Sequence, residues 1–193
     1  MYKKAFDKIR GHLYYQGKMD IWYFFACKGI DLLKENGVLT FIAQNNWVTS
    51  YVASKMRDKV IKDLVILQLV DFGAYFVFEN SDIQTMIMIF KKDHKSDHYS
   101  CDVRRLIKKD VNFKDVIKIL SRSKGDGIEY LTPIIRRRDF IGGKQIVFSD
   151  SNIEKILQKI ESNATFSLEA NEISQGIVAQ QDFLSHINTK KKI

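Results

Sequence analysis

Three groups of residues have types and spacings that could do chemistry. The first is Phe78 in "VFENSDIQTMIMIF" (Val77–Phe90), a large apolar ring set at the mouth of a turn against Glu79, Asn80, Ser81 and Asp82. Read alone, such a ring packs across the strands of a hairpin. The second is Asn45, Asn46 and Trp47, which follow the apolar run "VLTFIAQ". They stand at the C-terminal end of a strand, where ligands gather in open α/β sheets, although the asparagines equally fit the cap of the next helix. The third is the row Arg136, Arg137 and Arg138. Such a row serves either as phosphate contacts, which add affinity and salt dependence without sequence information, or as the charged guard of an exposed strand edge.

Composition narrows the partners. The 193 residues carry 31 Lys and Arg against 23 Asp and Glu, a net charge of +8, and the basic clusters "RRLIKK", Arg136 to Arg138 and Lys190 to Lys192 all lie in the second half. A polyanionic partner suits this balance, and so does a basic surface kept for solubility. Cys27 and Cys101 are too few and too far apart for a disulfide framework, and His94 and His98 sit four apart in a polar connection rather than on a helix, so no metal site is expected. No apolar run approaches the roughly 20 residues that span a bilayer, and "MYKKAFDKIRGH" has no apolar centre of a leader, so a cytoplasmic location is the default expectation.

The elements that must position these residues alternate. "MDIWYFFACKGIDLLKENG" predicts a helix with Ile21, Trp22, Phe25, Ile30 and Leu33 inward, closing on Asn36 and Gly37. "VLTFIA" reads as a strand covered on both faces. "NNWVTSYVASKMRDKVIKD" places Val52, Met56 and Val60 inward with Lys55, Arg57, Lys59 and Lys62 mostly outside. "VILQLVDF" and "IQTMIMIFKK" are joined by too few residues for a crossover and must run antiparallel. Further on come a strand at "YSCDVRRLI", a short helix at "FKDVIKIL", a strand pair about Gly142 and Gly143, and a helix at "SDSNIEKILQKIES". The fold class is α/β, the closing half of a doubly wound sheet ending in an antiparallel hairpin, followed by a smaller α+β segment.

The order and spacing of Asp20, Leu32 to Lys34, Asn36-Gly37, Gln44-Asn45, Trp47, Arg57, Asp71-Phe72, Val77-Phe78 and Lys91-Lys92 resemble the second half of the catalytic domain in TaqI-like, γ-class adenine-N6 DNA methyltransferases, including the fused type IIG restriction-modification enzymes. Gln44 stands where that family usually has Pro. The resemblance implies a Rossmann-like methyltransferase sheet over residues 1–95, a connecting α+β segment over 96–163, and over 164–193 the incomplete start of a target-recognition domain. "FSLEANEISQGIVAQQDFL" carries that last likeness, which implies DNA contact by Gly176, Gln180 and Gln181. The family's Gly-rich loop for S-adenosylmethionine and its Asn-Pro-Pro-Tyr loop are not in this sequence, whose sole proline is Pro133.

What the resemblance implies is specific. An adenine amino group is buried in the duplex, so the base must be extruded and held against the methyl donor. In the family an aromatic at the Val-Phe position stacks on the extruded ring, and the matching residue is Phe78, with Asn45 and Trp47 at the site's edge. Double-stranded DNA and the remaining N-terminal half of the methyltransferase are the expected partners, and S-adenosylmethionine is the cofactor of the complete enzyme. This chain alone is expected to bind no donor and transfer no methyl group. The alternative is a non-catalytic DNA-binding or specificity module, favoured by the net charge and the C-terminal segment.

Overall fold

The computed structural model describes residues 12–78, 81–148 and 151–166. Compact packing divides the chain into two units, residues 1–154 and 155–193.

In the first unit, α1 (Trp22–Leu32) leads through Asn36, which adopts a positive φ of 62°, into β1 (Val38–Gln44). Two short 3₁₀ turns, Asn45–Val48 and Tyr51–Ala53, precede α2 (Ser54–Asp63) and β2 (Leu64–Asp71). Then follow β3 (Thr85–Lys92), β4 (His98–Ser100), β5 (Asp102–Leu106), α3 (Phe113–Leu120), β6 (Ile128–Leu131), β7 (Ile134–Arg136) and the one-turn α4 (Arg137–Phe140). The main sheet has the order β1-β3-β2-β5-β6. Since β3 is antiparallel to both β1 and β2, those two are parallel to each other, and β5 joins β2 in parallel. The result is a mixed α/β sheet in which the expected antiparallel strand inserts between two parallel ones. The sheet runs on across residue 95 through β5 and β6, while β4 and β7 form a separate ribbon.

The larger core packs α1 and α2 on one face of this sheet, with Tyr23, Ala26, Cys27, Ile30, Met56 and Val60 against Ile66, Leu69, Met86, Met88 and Phe90. Here the helix reading needs rotation. The buried stripe of α1 is Tyr23, Ala26, Cys27 and Ile30, at i, i+3, i+4 and i+7, whereas Ile21, Phe25 and Leu32 face outward. So many apolar residues in one helix leave its inward face ambiguous from spacing alone. A smaller cluster lies on the opposite face, where Val116 and Ile119 of α3 meet Val70, Phe72 and Leu106. Helix α3 begins with a reciprocal capping box between Asn112 and Asp115.

Two strand expectations change. Covered on both faces is not how β1 sits: Val38, Thr40 and Ile42 are exposed, and among the described residues only β3 pairs with it. The strand pair about Gly142 and Gly143 is absent as well. Arg137 buries its side chain and residues 137–140 turn helical, after which 142–148 run as a strap held by single bonds such as Ile146 N–H to the Val48 carbonyl at 2.8 Å.

In the second unit the described residues are the end of α5 (Ser151–Asn163), which begins in the first unit, and residues 164–166 after it. Ile156, Leu157 and Ile160 are exposed along it. No described helix is long and apolar enough to cross a membrane.

Candidate nucleic-acid site

The parallel strands β1, β2 and β5 end together, and the residues just past their ends build the candidate site. Asp71 closes β2. Its Oδ1 accepts the side-chain amide of Asn45, just beyond β1, at 3.0 Å and the Gly73 N–H at 3.0 Å. Gly73 has φ +54° and passes so close to β5 that a Cβ there would stand 2.1 Å from the Leu106 carbonyl oxygen, so only glycine fits. The loop that follows is therefore fixed at its root.

From that root the loop alternates. Tyr75 and Val77 pack against the smaller core cluster, while Phe76 and Phe78 each remain 48% exposed and join neither cluster. A large ring kept half in water by inward neighbours on either side is available to a flat apolar ligand. Phe78 thus follows the end of β2 with its ring half-exposed. Glu79 and Asn80 lie outside the described residues.

Trp47 does not reach this edge. It is fully buried, edge-to-face with Phe90 at 6.0 Å and 87°, with its indole N–H on the Met86 sulfur at 3.2 Å. It supports the site from beneath instead of lining it. Asn45 is partly buried and bonded to Asp71, and Asn46 is exposed. On the adjoining rung Gln44 pairs with Thr85, and their Oε1 and Oγ1 are buried without a hydrogen-bond partner.

Arg57, expected outside, is the main tie beneath the edge. Its guanidinium is buried and donates to the carbonyls of Trp47 (2.7 Å), Gly143 (2.7 Å), Lys144 (3.0 Å) and Ser50. One side chain thereby holds the 45–50 turns against the 142–148 strap. Burial lowers the guanidinium's pKa, and Tyr23 nearby opposes this. Burial, together with Asp20, pushes the Tyr23 phenol up to about 12, so this hydroxyl stays protonated.

The arginine row falls elsewhere. Arg137 is buried and gives its guanidinium to the carbonyls of Ser96 (2.5 Å), Ile61 and Asp93, with the Tyr99 ring 5.5 Å away. That removes it from any surface contact with phosphate. Arg136 and Arg138 are exposed beside a cavity of about 800 Å³, also lined by Lys62, Asp97 and His98. This cavity adjoins the start of β2, whereas Phe78 follows its end. The eight residues of β2 separate the two places by roughly 25 Å. Other exposed basic residues are Lys109, just past β5, and Lys144 on the strap. "RRLIKK" signalled the first of these. Gly176, Gln180 and Gln181 lie outside the described residues. Among the described residues no cluster of His, Cys, Asp and Glu could hold a metal.

Comparison with known proteins finds one family match and several structural likenesses. Residues 2–78 match the model of the Eco57I restriction-modification methylase family, a match that covers less than half of the chain and ends at Phe78. No curated protein sequence matches. Solved structures with a similar fold include the type IIG restriction endonuclease BpuSI (TM-score 0.46, 15% identity, 83% of this chain and 20% of that one). A chain of the type I R-M system has TM-score 0.46 at 9% identity, over 73% of this chain and 36% of that one. The type I restriction-modification methyltransferase subunit from Streptococcus thermophilus has TM-score 0.43 at 17% identity, over 71% and 31%. The chain spans no more than 36% of the length of any of these three. Over residues 2–78, then, the chain is similar to the Eco57I restriction-modification methylase family.

Proposed function

We propose that this chain is part of the catalytic domain of an S-adenosylmethionine-dependent adenine-N6 DNA methyltransferase from a restriction-modification system, and that it supplies the wall on which the extruded adenine stacks. The observation that carries this reading is Phe78: a half-exposed ring on a loop rooted by Asp71 and Gly73, at the edge where the parallel strands end. An aromatic face there offers roughly 1–3 kcal/mol of stacking per base, enough to hold a base that has left the helix. Lys109 and Lys144 would meet the flanking phosphates, and Arg136 and Arg138 a more distant stretch of duplex.

S-adenosylmethionine would supply the methyl group. The described residues include no Gly-rich turn that leads from a strand into a helix and could cradle it, so the donor is assigned to the remaining half of the domain. That half would attach along the open side of β1. Asn45 N–H bonds to the Gln84 carbonyl at 3.1 Å, so the alternation of an antiparallel ladder turns the backbone groups of Thr40, Ile42 and Gln44 away from β3, toward the open side of β1. An open edge with exposed Val38 and Ile42 beside it suits a further strand and its covering helices.

The test is methyl transfer from labelled S-adenosylmethionine to duplex DNA by the complete enzyme, with nucleoside analysis of the product. The reading expects N6-methyladenine from the complete enzyme and no transfer by this chain alone. Methylation of cytosine, or donor binding by the isolated chain, contradicts it.

A further inference from the structure

The loop holds a second ring that the stacking of one base does not use. Phe76 is as exposed as Phe78 at 48%, and it belongs to neither core cluster. Its sequence reads as packing, since "DFGAYFVF" is simply rich in aromatics. The structure sorts those aromatics instead: Phe72 is buried, Tyr75 and Val77 anchor the loop, and Phe76 and Phe78 are left outside.

Ordered exposure is what gives Phe76 meaning. The Asp71 bond to Gly73 N–H, the tight approach of Gly73 to Leu106 and the Tyr75 N–H bond to the Phe72 carbonyl at 2.9 Å fix the backbone on its N-terminal side. A ring held in water on a pre-ordered loop loses little conformational freedom when a ligand covers it. The ligand must offer a flat apolar face, and the chain's net charge of +8 favours one that carries negative charge. A nucleobase on its phosphate backbone meets both conditions, and ring-on-base stacking needs no sequence-specific contact.

We infer that Phe76 is a second nucleobase-stacking residue, which takes a base next to the one held on Phe78 in an unpaired stretch of DNA. The inference rests on the Phe78 reading but uses a different ring, so the two can fail separately.

The experiment is binding of the 193-residue chain to a fluorescein-labelled single-stranded oligonucleotide, read by fluorescence anisotropy, with thermal melting of each variant. Phe76→Ala should weaken binding by about tenfold with an unchanged melting temperature, Phe76→Tyr should bind like wild type, and Phe76→Ala/Phe78→Ala should bind more weakly than either single variant. Phe76→Ala binding like wild type while Phe78→Ala weakens overturns the inference and leaves the proposed function standing. A lowered melting temperature for Phe76→Ala assigns the ring to packing and also overturns it. Absence of binding by the wild-type chain overturns the inference, while the Phe78 reading is tested by base extrusion in the complete enzyme.

Discussion

Asn45 and Asp71 join the ends of two parallel strands that have a third strand between them: the amide of Asn45 donates to Asp71 Oδ1 at 3.0 Å across the β3 insertion. Because the same oxygen also accepts Gly73 N–H, one carboxylate sets both the strand ends and the root of the aromatic loop. Asp71→Ala should cost about 1–3 kcal/mol in urea denaturation, since it leaves two partly buried donors unmet. Gly73→Ala should cost at least about 2 kcal/mol, because the new Cβ meets a backbone oxygen and adopts a positive φ. Equal stability of either variant with wild type would detach the loop from this root.

Arg57 makes a different prediction. Its planar fork spans two segments that a point charge cannot hold at once, so Arg57→Lys should fail to restore what Arg57→Ala loses. Both should lower stability by roughly 3 kcal/mol or more, leaving the carbonyls of Trp47 and Gly143 without their donor. Limited proteolysis should then cut the 142–148 strap first. A lysine variant that melts with wild type would show that the charge alone suffices.

Acid should destabilise the first unit through its depressed carboxylates, Asp115 and Asp102 among them. Asp115 is held below its ordinary pKa by Lys108 at 2.8 Å and by the Asn112 N–H. Burial pushes Asp102 up, but hydrogen bonds from Arg104 and Gln68, with the charges of Arg104 and Arg122, outweigh it and lower the net value. A depressed folded pKa contributes stability that is present above the unfolded value near 4 and disappears as pH falls through the folded one. Urea midpoints should therefore match at pH 7 and 5 in this respect and drop below about pH 4, with Asp102→Asn flattening the drop. A variant with an unaltered acid limb would exclude Asp102 from it.

Gln44 explains a departure from the family pattern. Its φ of −54° lies within the range of proline, and the ladder turns its N–H toward the open side of β1, so a proline there loses no bond to β3. Gln44→Pro also removes a buried amide oxygen that has no partner. Stability should stay level or rise by about 0.4–1 kcal/mol in thermal or urea melts of the chain. A clear loss would show that the N–H has a use on the open side.

Much of this fold was legible because local chemistry settles it. The antiparallel return of β3 follows from loop length, and the short helix α3 from the apolar spacing of "FKDVIKIL". The rest depends on tertiary neighbours. Nothing in "SKMRDK" distinguishes Arg57, which is buried under a strap some 86 residues away, from the lysines beside it. Likewise "IIRRRDF" does not say that the middle arginine turns inward while its neighbours stay out. Phe76 and Phe78 are identical letters to Phe72, and only the packing of Tyr75 and Val77 separates them.

The central claim stands on Phe78, and base extrusion tests it most directly. In the complete enzyme, fluorescence of a 2-aminopurine at the target position should rise on binding with wild type, and fall with Phe78→Ala by the equivalent of roughly 1–3 kcal/mol in retention of the base. Phe78→Trp should preserve the signal, and the melting temperature of the Ala variant should barely move, since the ring is 48% exposed. A large melting shift with unchanged extrusion would contradict the account and return Phe78 to the core.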